Sequence, residues 1–129
     1  MGSQSSERRQ FNRALFTIDD GVIGILSVPE LQKAPITAYL LNLSVGGMYF
    51  TLRTEEKNKI KEGDHLVLIQ IKGSASLKFL VNIDAEIRWI LNYENFEHVG
   101  IGCKFLNIPE SSRKQVGKFV DSWYGLNHN

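Results

Sequence analysis

From Phe79 to Leu91 the chain alternates: Phe79, Val81, Ile83, Ala85, Ile87, Trp89 and Leu91 stand between Leu80, Asn82, Asp84, Glu86, Arg88 and Ile90. A period of two turns the first set toward a core and most of the second toward water, which predicts one long strand over 79–91. Val99, Ile101, Cys103 and Phe105 repeat the period, and the polar run Asn92 to Glu97 joins the two segments. An antiparallel hairpin is the expected result. Shorter strands are expected at Val22–Ser27, Ile36–Asn42, Met48–Leu52 and Leu66–Ile71. Pro29 and Pro35 bracket the loop after the first of these, and Lys61-Glu62-Gly63-Asp64 reads as the turn before the last. Toward the C-terminus the period changes. Val116, Phe119, Val120 and Trp123 fall at i, i+3, i+4 and i+7, an apolar helical stripe. Pro109 suits the first turn of that helix and Gly125 its C-terminal cap. Gly117 costs about 1 kcal/mol relative to Ala, so packing must hold the helix. Short strands at such spacing suggest a barrel or a sandwich, and the reading adopted is an all-β fold, a six-stranded antiparallel β-barrel closed by one C-terminal α-helix.

At 129 residues the chain fits one domain with an ordinary core. Residues 1–13 are polar and read as a flexible N-terminal arm, with the barrel and its helix over 14–125. The formal charge is +1, from 15 Lys and Arg against 14 Asp and Glu. That balance argues against a binder of nucleic acid polymers, which carries a large basic surplus, and still permits a local basic site. Cys103 stands alone, so no intramolecular disulfide forms and a reducing compartment is expected. No apolar signal region follows the polar N-terminus and no run is long enough to span a bilayer. Cytoplasmic localisation is the expectation.

Two segments carry candidate chemistry. The first is Arg8-Arg9-Gln10-Phe11-Asn12-Arg13, which holds three of the six arginines. A guanidinium forks onto the O6 and N7 edge of guanine, pairs with phosphate, or stacks on a base. Alone, the segment reads as a solvated basic terminus. The second is Asn42-Leu43-Ser44-Val45-Gly46-Gly47, at a strand junction. Asn42 and Ser44 share a face if the backbone is extended, and Gly46 and Gly47 permit positive φ and close approach to a ligand. Alone, it is equally an ordinary turn.

Together, Arg9-x-x-x-Arg13 with Arg8 before it, then Asn42-x-Ser44-x-x-Gly47, resemble the paired motifs of the PilZ family. The resemblance runs from about Arg8 to about Trp123. It takes in Ala85-Glu86-Ile87-Arg88-Trp89 and Gly100-Ile101-Gly102-Cys103-Lys104-Phe105. It implies a split-barrel-like fold and binding of cyclic di-GMP, with no cofactor. Arg9 and Arg13 would grip guanine edges and phosphate, and Arg8 would add charge or a stacking surface. Asn42 and Ser44 would hydrogen-bond the ligand, and Gly46 and Gly47 would shape the turn. The arm would order over the barrel on binding, and an effector protein controlling motility, pilus, exopolysaccharide or biofilm would read the change. One ligand or a stacked pair fits an arginine-rich site, on a monomer or a homodimer.

His65, His98 and His128 lack metal-ligand spacing with Cys103, which reads as a core residue. Trp89 and Trp123 are expected to pack the core. The charged run from Glu55 to Lys61 reads as a solvated loop or short helix. No nucleophile elbow, phosphate loop or carboxylate pair is present, so no enzyme is expected. The competing readings are a PilZ-fold interaction module that binds no nucleotide, and a barrel that binds single-stranded nucleic acid.

Overall fold

The computed structural model describes residues 12–29, 34–55, 60–92 and 97–128, with side chains through Trp123. Seven strands and one helix follow in order: β1 (Ala14–Leu15), β2 (Ile23–Ser27), β3 (Ile36–Ser44), β4 (Gly47–Arg53), β5 (His65–Lys72), β6 (Ile83–Leu91), β7 (His98–Phe105) and α1 (Glu110–His128). Every pairing is antiparallel. The order β3-β2-β5-β6-β7-β4 closes through β3–β4 into a six-stranded barrel. Closure leaves those strands no open edge. The two-residue β1 lies outside it, pairing Ala14 and Leu15 with Leu43 and Asn42 of β3.

The expected barrel and helix are therefore present, with β1 as an addition that two residues were too short to signal. The alternating positions supply the core. Leu40, Phe50, Leu68, Ile87 and Ile101 are among the side chains with no more than a trace of exposure. Burial of each such side chain contributes roughly 1.5–3 kcal/mol. Thr51, a buried polar residue on β4, donates its hydroxyl to the Val99 carbonyl at 3.1 Å.

Three expectations need correction. The strand predicted from Phe79 begins only at Ile83. A 3-10 turn at Ala75–Leu77 precedes it, Leu77 and Leu80 are fully buried, and Val81 is 49% exposed. Buried residues three apart belong to a turn that caps the core, and the alternation across 79–82 continues only in letters. Asn82 then adopts φ 53°, a conformation short polar residues tolerate, and the strand starts after it. Trp89 does not pack the core: it is 40% exposed, because the register slips between Ile87 and Trp89. One extra residue there reverses the facing of everything beyond it. Gly125 does not cap the helix, which continues to His128.

The helix docks as the stripe predicts. Val116 and Val120 are buried, and Phe119 and Trp123 pack against the core. Phe16 packs on Trp123 with ring centres 4.8 Å apart and planes inclined by 46°, and the Trp123 indole N–H donates to the Leu15 carbonyl at 3.0 Å. The Pro109 carbonyl accepts from the Arg113 N–H at 2.9 Å, which starts the helix. Helix α1 thus holds β1, and with it the segment bearing Arg13, against the barrel. No helix among the described residues is long and apolar enough to cross a membrane.

Candidate functional site

An open cleft of about 560 Å³ lies where the β3–β4 turn, β4, β6, β7 and the start of α1 meet. Its lining includes Arg13, the turn from Ser44 to Tyr49, Arg88 and Trp89 of β6, Gly102 to Phe105 of β7, and Arg113 of α1.

Two aromatic rings form a ledge in it. Tyr49 and Trp89 pack with centres 5.0 Å apart and planes inclined by 36°. They lie on β7 where that strand has no side chains. A Cβ on Gly100 would strike the Tyr49 ring, and one on Gly102 would strike the Trp89 indole. The rings can sit flat on the strand only because both positions are glycine. The slip after Ile87 supplies the other half of the arrangement. It brings Arg88 and Trp89, neighbours in sequence, to the same cleft. Regular alternation would have sent them to opposite faces.

The two motif segments meet at the turn. Leu15 pairs with Asn42 across β1 and β3, which sets Arg13 beside Asn42. The Arg13 Nη1 donates to Asn42 Oδ1 at 3.2 Å. Asn42 orients Arg13 and is not itself part of the cleft lining. Ser44 is buried, and its Oγ accepts from the Gly46 N–H at 3.2 Å. The Gly46 carbonyl accepts from the Phe105 N–H at 3.1 Å, which ties the turn to β7. Gly47 has a steric reason to be glycine: a Cβ there would collide with the Cys103 carbonyl oxygen. Positive φ among the described glycines falls on Gly21, Gly63 and Gly73, not on Gly46 or Gly47. The expected left-handed turn is therefore absent, and close approach of β4 to β7 is what Gly47 serves. Arg8 and Arg9, with most of the expected arm over 1–13, lie outside the described residues.

Charge on the lining has one sign. Among the described residues, Arg13, Arg88, Lys104 and Arg113 line the cleft and no Asp or Glu does. Walls of one charge focus the field and favour an anion. Opposite charges also pair locally, loosely for Arg88 with Glu86 at 3.6 Å and for Arg113 with Glu110 at 3.8 Å, and more closely away from the cleft. Glu55 accepts from Arg53 at 2.8 Å, a bond that lowers the Glu55 pKa and raises that of Arg53. His65 Nε2 lies 3.1 Å from Asp84 Oδ1. Among the described residues, no group of three or more His, Cys, Asp or Glu could hold a metal ion. Burial pushes the Cys103 thiol up to about 12, in keeping with a core position and not with a nucleophile.

Sequence reading found Arg13, Ser44, Gly46 and Gly47 of this cleft. It missed Tyr49, Arg88, Lys104 and Arg113 as lining, and placed Trp89 in the core. The available signal was Gly100-x-Gly102, two bare positions on one face of a strand, where an aromatic from a neighbour can lie flat.

The fold and cleft define a β-barrel domain with a cationic cleft, built on a strand-turn-strand and an arginine-bearing N-terminal segment. The family model described as PilZ domain matches residues 7–122, and the chain belongs to that family. It is 28% identical over 123 residues to the flagellar brake protein YcgR of Nitrosomonas eutropha. That alignment covers 88% of this chain and 45% of that protein, so the chain spans about half the length of this curated relative. Among solved structures, the PilZ domain of Escherichia coli YcgR with c-di-GMP superposes with a TM-score of 0.71 at 18% identity. It covers 93% of this chain and 94% of that one. The Bacillus subtilis inhibitor of motility MotI/DgrA superposes with a TM-score of 0.67 at 18% identity, over 95% of this chain and 53% of that one.

Proposed function

We propose that this domain is a cytosolic receptor for cyclic di-GMP that passes the second-messenger level to a partner protein by contact. The observation that carries the reading is the meeting of Arg13, Ser44, Gly46 and Gly47 in one cleft lined, among the described residues, by four cations and no carboxylate. Cyclic di-GMP offers two phosphates and two guanine edges. Arg13, held toward the cleft by Asn42, grips phosphate or a guanine O6/N7 edge. Arg8 and Arg9 add to that grip from the arm. Ser44 and the Gly46–Gly47 backbone face the ligand at the turn, and Tyr49 and Trp89 offer a base a stacking surface. The cationic lining and the aromatic ledge support binding of an anionic ligand. The flagellar brake relative makes motility the first process to examine, and an effector at the flagellum the partner to seek.

Calorimetry with cyclic di-GMP, with cyclic di-AMP as control, tests the reading. Saturable binding selective for guanine is expected, weakened about 5- to 150-fold in Arg13→Ala by loss of one fork. Trp89 fluorescence should change along the same titration. Equal heats for the two dinucleotides, or none for either, would overturn the receptor and leave an interaction module that binds no nucleotide.

A further inference from the structure

Besides Arg13, the cleft lining carries Arg88, Lys104 and Arg113, which belong to neither of the two ligand motifs. Arg13 is fixed to Asn42 on β3. Arg88 stands on β6, and Arg113 in the first turn of α1. Around the barrel, β4 and β7 separate β3 from β6. Three interstrand steps of about 4.8 Å put those backbones up to ~14 Å apart. A ligand with two phosphates can engage Arg13 and the other cations of the cleft at once.

Arg88 and Arg113 are free to serve. Arg88 is the extra residue of the β6 bulge, a device that re-aims side chains beside functional sites. Each guanidinium has one loose carboxylate contact: Arg88 to Glu86 at 3.6 Å and Arg113 to Glu110 at 3.8 Å. Both exceed hydrogen-bond length and both arginine side chains are about half exposed, so breaking them costs little. Neither glutamate lines the cleft.

Resting on the receptor reading above, we propose that Arg88 and Arg113 form a second anion grip that takes the second phosphate of a cyclic dinucleotide. Glu86 and Glu110 hold the two side chains until the ligand displaces them. Arg13 and its partners take the first phosphate and a base edge. The grip selects ligands with two phosphodiesters over those with one.

The test is calorimetry on the whole chain and its Arg88→Gln, Arg113→Gln and Lys61→Gln variants. Each is titrated with cyclic di-GMP and with guanylyl-guanosine, which has two guanines and one phosphodiester. Loss of one charge-assisted contact is expected to raise the cyclic di-GMP Kd about tenfold in Arg88→Gln and in Arg113→Gln. Its dependence on NaCl should flatten in both variants, because fewer ions are released. Guanylyl-guanosine binding should be the same in all four proteins, as should cyclic di-GMP binding by Lys61→Gln. Thermal melts, expected to agree for these exposed positions, separate loss of binding from loss of fold. Cyclic di-GMP Kd values within twofold of the parent in both arginine variants would overturn the second grip. So would a parallel loss for guanylyl-guanosine or for Lys61→Gln, since either would mean a diffuse field. A parent chain that binds no cyclic di-GMP would instead overturn the receptor reading itself.

Discussion

Gly47 lies in a recognised ligand motif, yet its surroundings give it a task in the barrel, and Gly47→Ala separates the two. Gly47 opens β4 opposite Lys104 of β7. A Cβ there would overlap the Cys103 carbonyl oxygen and stand 3.1 Å from the Cys103 carbonyl carbon and 3.2 Å from the Lys104 Cα. All three are backbone atoms of a paired strand, so no rotamer change relieves the collision. The strands must part until the separation approaches about 3.5 Å. Overpacking of this kind costs about 1–3 kcal/mol. The ladder bonds that lengthen beside it are each worth about 1 kcal/mol net. The expected loss is about 2–4 kcal/mol. Unfolding entropy of about 2.1 cal/mol/K per residue makes each kcal/mol worth about 4 °C in a chain of this length, so Tm should fall by about 8–15 °C. A urea titration followed by far-UV circular dichroism gives the free energy directly. Stability within about 0.5 kcal/mol of the parent, the range of an ordinary surface change, would refute the steric argument. Unchanged stability with lost affinity for cyclic di-GMP would place the glycine requirement at the ligand instead.

Two further outcomes follow from burial and helix packing. The Cys103 thiol, raised to about 12 by burial from an ordinary 9, keeps its proton in the folded chain while the unfolded chain releases it. Its contribution to stability is whole below about pH 8.5 and declines as pH rises toward 12, by up to about 1.4 kcal/mol per pH unit. The urea midpoint should therefore fall more steeply between pH 9 and 11 in the parent than in Cys103→Ala, and equal slopes would contradict the assignment. Gly117→Ala should stabilise the helix by about 0.5–1 kcal/mol, because the new methyl would meet only the Val45 Cγ1 at an ordinary 3.6 Å. A lower Tm for that variant would show that α1 needs a closer approach to the β3–β4 turn than the side chains record.

What sequence alone determined was the set of elements and most of the core. Alternation at Val99, Ile101, Cys103 and Phe105 depends only on the local pleat, and all four are buried. The stripe Val116, Phe119, Val120 and Trp123 likewise marks the face by which α1 docks. The Arg13 and Asn42–Gly47 segments were legible as motifs because their chemistry is carried by residue type and spacing. Tertiary structure decided the rest. The slip in β6 is a property of two paired strands, so no periodicity within 83–91 could announce that Trp89 turns outward. Tyr49, Trp89, Gly100 and Gly102 come from three strands whose order closes only in the barrel. Arg113, distant in sequence from Arg13, reaches the same cleft because α1 begins there. Local pattern governs which way a residue faces while the ladder is regular. Where the ladder slips, or where separate strands share a surface, only the assembled chain sets which side chains meet.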